Sequence, residues 1–174
     1  MSKQNIEIKA KLRVSIEEFE NLVQEYTRKD KPDEVIIQHD TFFKCSFGRL
    51  KLRIFHDGIG ELISYKRDNI NGPKISIYSL YPTQNPMELK KVLSESLEIL
   101  GEVVKKRLLY MHNSTRIHID EVKGLKFPCM ELEVTNLQSS EEGIKICSEI
   151  KKELNIQDED LLEVSYFDLL LETH

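Results

Sequence analysis

The first strand-like segment alternates with a period of two: Ile6, Ile8, Ala10 and Leu12 fall on one side, and Glu7, Lys9, Lys11 and Arg13 on the other. That period fits a β-strand and not a helix, because successive strand side chains point to opposite faces. It recurs in Arg49-Leu50-Lys51-Leu52-Arg53, in Lys105-Lys106-Arg107, in Arg116-Ile117-His118-Ile119-Asp120 and in Glu131-Leu132-Glu133. Each is a ribbon with one apolar and one charged face. The chain has 174 residues, which fits one domain spanning 1–174, so a single small fold must place all of these charged faces.

Strands are predicted near 4–13, 34–43, 47–55, 61–67, 74–80, 102–111, 114–122 and 129–135. Asp57-Gly58-Ile59-Gly60 and Asn69-Ile70-Asn71-Gly72-Pro73 supply turn chemistry between them. Ser15 with Glu18, and Ser139 with Glu142, read as capping boxes. The first opens a helix carrying Phe19, Leu22, Val23 and Tyr26; the second opens one carrying Ile144, Cys147, Ile150 and Leu154. Thr83-Gln84-Asn85-Pro86 starts another, with Leu89, Val92, Leu93, Leu97 and Leu100 as its buried stripe and Gly101 as its stop. A last segment, Leu161 to Leu171, repeats apolar residues at helical intervals and is expected to dock on the body. Short turns join antiparallel neighbours, and eight strands are enough to close a barrel around a small ligand.

Two arrangements satisfy the alternation. In one, an open sheet lies on helices and its charged face is wet. In the other, the sheet curls until the charged faces line a tunnel and the apolar faces lie outside under the helices. Buried charges cost several kcal/mol each unless paired, so such a tunnel must pair its charges, stay wet or hold an oppositely charged ligand. The charged faces separate by sign. Lys9, Lys11, Arg49, Lys51, Arg53, Lys66, Lys74, Lys105, Arg107 and Arg116 form a basic set, against the compact acidic set Glu7, Asp120, Glu131 and Glu133. Lys and Arg suit phosphate oxygens, and carboxylates suit Mg²⁺ or Mn²⁺. Glu131 and Glu133, two apart on a strand, face the same side and could share an ion.

Taken in order, these residues resemble the motifs of the CYTH family, the triphosphate tunnel metalloenzymes. Asn5-Ile6-Glu7-Ile8-Lys9-Ala10-Lys11 resembles its N-terminal ExExK motif, and Gly48-Arg49-Leu50-Lys51-Leu52-Arg53 its basic second motif. Ile63-Ser64-Tyr65-Lys66-Arg67 is similar to the following strand, and Lys105-Lys106-Arg107 to the central KxR element. The stretch from Arg116 through Asp120 to Leu125, followed by Met130-Glu131-Leu132-Glu133-Val134, resembles the acidic signature. Ser165-Tyr166-Phe167-Asp168-Leu169-Leu170 resembles a C-terminal element of the class IV adenylyl cyclase-like branch, which is related to thiamine triphosphatase.

The resemblance implies an α+β fold, an eight-stranded antiparallel closed β-barrel with a charged interior and helices packed outside. It implies that Glu7, Asp120, Glu131 and Glu133 bind divalent metal, Mg²⁺ or Mn²⁺, with Glu7, Glu131 and Glu133 catalytic through it. It implies that Lys9, Lys51, Arg53, Lys66, Lys105, Arg107 and Arg116 bind the triphosphate. Lys11, Lys74 and Arg49 fit a surface role equally well. Two positions depart from the pattern. Asn5 stands where the motif has its first Glu, and the loop Lys126-Phe127-Pro128-Cys129 looks lengthened before Glu131. His118 shares the Asp120 face, where a neutral hydrogen-bonding filler is favoured over an acid or base. His39, His56, His112 and His174 read as surface or loop residues.

The expected activity is that of a metal-dependent enzyme acting on a small-molecule triphosphate: nucleoside, thiamine or inorganic. Attack by water gives hydrolysis; attack by the ribose 3′-hydroxyl of ATP gives cyclic AMP and pyrophosphate. A non-catalytic polyphosphate or nucleotide binder and a plain structural domain are the competing readings. A net charge of −5 argues against a nucleic-acid partner. Met1-Ser2-Lys3-Gln4-Asn5 lacks an apolar signal core and no apolar run is long enough for a membrane, so a cytoplasmic protein with no membrane partner is expected, with a homodimer left open. Cys45, Cys129 and Cys147 form no CxxC pair and read as reduced, mostly buried thiols.

Overall fold

The computed structural model describes residues 3–173, so His174 lies outside the described residues. Eight antiparallel strands close into a barrel: β1 (Lys3–Lys11), β2 (Glu34–Phe43), β3 (Arg49–Phe55), β4 (Gly60–Arg67), β5 (Lys74–Thr83), β6 (Ile99–His112), β7 (Thr115–Val122) and β8 (Cys129–Val134). Around the barrel they run β1-β5-β4-β3-β2-β6-β7-β8, and β8 returns to β1. Four helices lie outside: α1 (Ile16–Thr27), α2 (Pro86–Ser96), α3 (Ser140–Glu153) and α4 (Tyr166–Glu172). None of the described helices is long and apolar enough to cross a membrane.

The main core lies outside the barrel wall. Ile6, Ile8 and Ala10 of β1, Met130, Leu132 and Val134 of β8, and Ile117 and Ile119 of β7 pack under Phe19 and Val23 of α1 and Cys147 and Ile150 of α3. Each large aliphatic side chain buried this way contributes about 1.5–3 kcal/mol. Because side chains alternate, burying these faces outward forces Glu7, Lys9, His118, Asp120, Glu131 and Glu133 inward. This settles the sequence ambiguity for the tunnel and against the wet open sheet. Gly143 lets α3 approach β1 closely: a Cβ there would sit 2.6 Å from Ile6 Cγ1.

Three elements differ from expectation. The second helix ends at Ser96, and Leu97 is already extended, with φ −122° and ψ 138°. Its expected stripe is not a core face, since Val92 and Leu100 are exposed. Gly101 is no helix stop; it lies within β6, opposite Phe42. A short apolar run suits either period, and here β2 offers Ile99 and Gly101 a partner strand. The C-terminal segment is extended at first, with Leu161 bridged to Ala10 and the Leu162 amide donating to the Lys9 carbonyl at 2.9 Å. Its helix opens only at the Ser165–Asp168 capping box. The α3 cap is half a box, because Glu142 turns to the Gln138 amide instead of that of Ser139. The Ser15–Glu18 box forms as expected.

Candidate active site

The barrel encloses a cavity of about 260 Å³ lined by eight Lys or Arg and five Asp or Glu side chains. The α4 end is closed. Phe167 stacks on Phe42 with ring centroids 4.8 Å apart, and the Tyr166 hydroxyl donates to Asp120 at 2.6 Å. Gly101 makes room for this plug: a Cβ there would meet Phe167 at 2.5 Å. Arg49 ties the plug to the wall, donating to Ser165 Oγ at 2.9 Å and Asp168 at 2.7 Å, so it serves the closure and not the open surface. Lys74 is buried and donates to the Glu163 carbonyl at 2.7 Å. Lys3 and Leu80, each six residues along its strand from Lys9 and Lys74, mark the opposite, open rim with Arg116.

Two ion-pair groups organise the interior. On one wall Asp40 accepts two hydrogen bonds from Arg53, both 2.8 Å, and pairs with Lys51 at 3.0 Å. Burial works to raise the Asp40 pKa, but Arg53 and Lys51 outweigh it and hold the carboxyl well below its ordinary range. Burial pushes Lys51 down to about 8, with help from Arg53. On the other wall Arg107 donates to both oxygens of Asp120 and to Glu131, each at 2.7 Å. Lys9 pairs with Glu131 at 3.2 Å and sits 4.3 Å from the Tyr166 ring centroid. Burial opposes charge at Glu131, yet Lys9 and Arg107 hold its pKa well below normal. Glu133 is drawn down in the same way: burial opposes, His118 and Arg107 prevail.

Lys105 differs from its neighbours. It is buried, pairs with no carboxylate among the described residues, and lies 4.9 Å from the Tyr166 ring centroid. Burial, then repulsion from Arg107, pushes its pKa down to about 7. Among the described residues Lys74 is the other buried lysine with no carboxylate partner, and main-chain carbonyls hold it instead.

Glu7, Lys9, Lys51, Arg53, Lys105, Arg107, Glu131 and Glu133 all face this cavity, with Arg116 at its rim. Two expected residues are placed differently. Lys66 points to the outer face and is exposed, because β4 pairs Ile63 with Lys51 and Tyr65 with Arg49, which turns Arg67 inward instead. Arg67 donates to Glu7 at 2.6 Å. Asp120 is wholly buried and both its oxygens are taken by Arg107 and Tyr166, so it positions those groups and does not stand with the open carboxylates. Lys11 is exposed. Asn5 faces the cavity, buried, opposite Ser76. The 123–128 loop leaves β8 in register, Glu131 opposite Lys9 and His118, and Glu133 opposite Glu7 and Arg116.

Sequence reasoning missed Asp40, Arg67 and Tyr166 as site residues. Asp40 was within reach of strict alternation, sharing a face with Ile36 and Gln38, whereas Arg67 shares a face with the apolar Ile63 and Tyr65 and only strand pairing turns that face inward. Nothing local marks Tyr166, which joins the site only through the path of the C-terminal segment.

Glu131, Glu133 and His118 bring ligand atoms within 4.8 Å of one another. Two carboxylates on one strand face, beside a buried ring nitrogen with no hydrogen-bond partner, fit a divalent cation.

A closed antiparallel barrel with a cation-rich interior and an apolar exterior under helices defines a charged-tunnel protein. The chain belongs to the CYTH domain family, whose model matches residues 3–166. A search among curated proteins finds no match. Among solved structures, PH1012 protein of Pyrococcus horikoshii OT3 is 20% identical with a TM-score of 0.84, over 95% of this chain and 99% of that one. A candidate adenylate cyclase of Vibrio parahaemolyticus is 14% identical with a TM-score of 0.78, over 98% and 99%. The Pct1 RNA triphosphatase of Schizosaccharomyces pombe is 11% identical with a TM-score of 0.54, over 94% and 86%. At these identities the likeness is one of fold.

Proposed function

We propose that this protein is a divalent-metal-dependent enzyme that cleaves a phosphoanhydride bond of an organic triphosphate held in the barrel. The observation that carries the reading is Lys105, a buried ammonium without a counter-ion in a cavity whose cations already outnumber its carboxylates eight to five. An unpaired buried charge costs several kcal/mol, and a polyanionic ligand offsets that. The family and the fold shared with a candidate adenylate cyclase and an RNA triphosphatase agree with a triphosphate.

Lys9, Lys51, Lys105 and Arg107 bind the phosphate chain towards the plugged end, Arg53 and Arg67 flank it, and Arg116 meets it at the rim. Asp40 and Asp120 hold Arg53 and Arg107 in fixed orientation, so their donors need no reorganisation as charge shifts onto the leaving phosphate. Leu80 at the rim and Tyr78 beside it line the cavity with apolar surface, which suits the organic moiety. Glu131 and Glu133, with Glu7 alongside, would hold Mg²⁺ or Mn²⁺, which would supply neutralisation of phosphate charge and a lowered pKa for the nucleophile. That nucleophile is water in hydrolysis or the ribose 3′-hydroxyl in cyclisation.

The test is turnover of ATP, thiamine triphosphate and inorganic triphosphate with each metal, with products identified. Cyclic AMP identifies cyclisation, and a diphosphate with free phosphate identifies hydrolysis. Asn5, buried where a carboxylate would add charge, favours a second reading, a non-catalytic triphosphate binder. Turnover that disappears in Glu131→Gln rejects it; tight binding without turnover rejects the enzyme.

A further inference from the structure

We infer that His118 is a nitrogen ligand of the cation site, making it a mixed centre of one histidine and two carboxylates that prefers Mn²⁺ over Mg²⁺. The inference rests on the reading of Glu131 and Glu133 as metal-holding residues given above.

His118 lies on β7 directly opposite Glu131 of β8, and Glu133 is two residues further on the same face. The residue is buried, 4% exposed, and among the described residues Nδ1 has no hydrogen-bond partner. That nitrogen lies 3.9 Å from Glu131 Oε2 and 3.8 Å from Glu133 Oε1, too far for hydrogen bonds and on the side where the two carboxylates converge. A buried imidazole nitrogen without a partner is rare and calls for an explanation. As a plain filler His118 would use Nδ1 in a hydrogen bond; here it presents that atom to two carboxylate oxygens without bonding either.

A shared cation accounts for the arrangement. An octahedral ion with bonds of about 2.1 Å sets adjacent donors about 3 Å apart and opposite donors about 4.2 Å apart. Small side-chain rotations bring the three atoms, all within 4.8 Å of one another, into that range. Glu133 is the freer carboxylate, with Arg116 at 3.8 Å, whereas Glu131 is shared with Lys9 and Arg107. Mg²⁺ takes oxygen ligands and keeps its waters, while imidazole suits transition ions, and Mn²⁺ accepts both donor types.

The protein without triphosphate is titrated with Mn²⁺ and the bound ion followed by pulsed electron paramagnetic resonance. The expected result is a directly coordinated imidazole nitrogen in the wild type, absent from His118→Gln. That variant is expected to bind Mn²⁺ roughly tenfold more weakly or worse, with Mg²⁺ affinity changed far less. Bound Mn²⁺ without nitrogen coupling in the wild type overturns the ligand role of His118 and leaves a carboxylate site standing. Coupling that survives in His118→Gln points to another histidine and also overturns it. Absence of Mn²⁺ binding overturns both the inference and the metal-holding reading of Glu131 and Glu133, and leaves triphosphate binding to be judged by the substrate panel. The wild-type spectrum carries the test even if the variant folds poorly.

Discussion

Lys105 holds its ammonium 4.9 Å from the centroid of the Tyr166 ring, while Asp120, hydrogen-bonded to that same tyrosine, spends its charge on Arg107. The barrel thus leaves Lys105 without a carboxylate partner among the described residues at its closed end. With a folded pKa of about 7 against an ordinary 10.5, Lys105 disfavours its own protonated form in the free protein. The unfolded chain therefore binds more protons between those values. The penalty is full below about pH 7 and is relieved as pH rises towards 10.5. A bound triphosphate favours the ammonium. Affinity is expected to weaken as pH rises through 7 and on through 8, where Lys51 follows, with proton uptake on binding measurable by calorimetry in buffers of different ionisation enthalpy. Lys105→Met is expected to melt at a higher temperature than the wild type at pH 6 and to lose most of this proton uptake.

Asp40 is the counter-ion of Arg53 and Lys51. Removing one partner of a buried pair typically costs about 3–5 kcal/mol, so Asp40→Asn is expected to lower the melting temperature sharply. A triphosphate restores negative charge beside both cations. Its stabilising shift in thermal melts is expected to be larger in Asp40→Asn than in the wild type, and an equal or smaller shift counts against the ligand lying on that wall.

Adjacent positions on β4 separate inside from outside. Lys66→Ala is expected to leave kcat/KM within about twofold, since surface charges contribute little. Arg67→Ala removes an interior donor. It is expected to lower kcat/KM by roughly tenfold to a hundredfold, the equivalent of about 1.5–3 kcal/mol for a charge-assisted hydrogen bond. Steady-state kinetics on the two single variants decide which residue works in the chamber.

Leu80 and Tyr78 bear on the organic part of the substrate. Leu80→Asp is expected to raise KM for ATP or thiamine triphosphate much more than for inorganic triphosphate, which has nothing to place against that wall. A uniform change across the three removes the apolar wall from recognition.

The barrel was legible because its period is unbroken where it matters: Ile6 to Leu12 and Met130 to Val134 alternate without fault, and burying one face dictates the other. The register of β4 was harder, because Lys66 and Arg67 are both basic and only the pairing of Ile63 with Lys51 decides which enters. Leu97 to Gly101 misled for a related reason: Leu97, Ile99 and Leu100 satisfy a helix or a strand, and the choice fell to partners 56 and 59 positions earlier in the chain, Phe43 for Ile99 and Phe42 for Gly101. The closed end was out of reach altogether. Tyr166 meets Asp120 across 46 residues of sequence, and no local pattern encodes a contact made by the return of the chain.

The plug of Tyr166 and Phe167 gives the barrel a single doorway, and a cul-de-sac imposes an order of traffic. For the triphosphate-cleaving enzyme proposed above, a substrate stretched along the chamber goes in with one end leading, and after cleavage the fragment against the plug must wait behind the one at the rim. The rim fragment departs first, the inner one last, and the inner one alone competes with fresh substrate for the empty enzyme. Which product inhibits competitively therefore reports which way round the substrate lay.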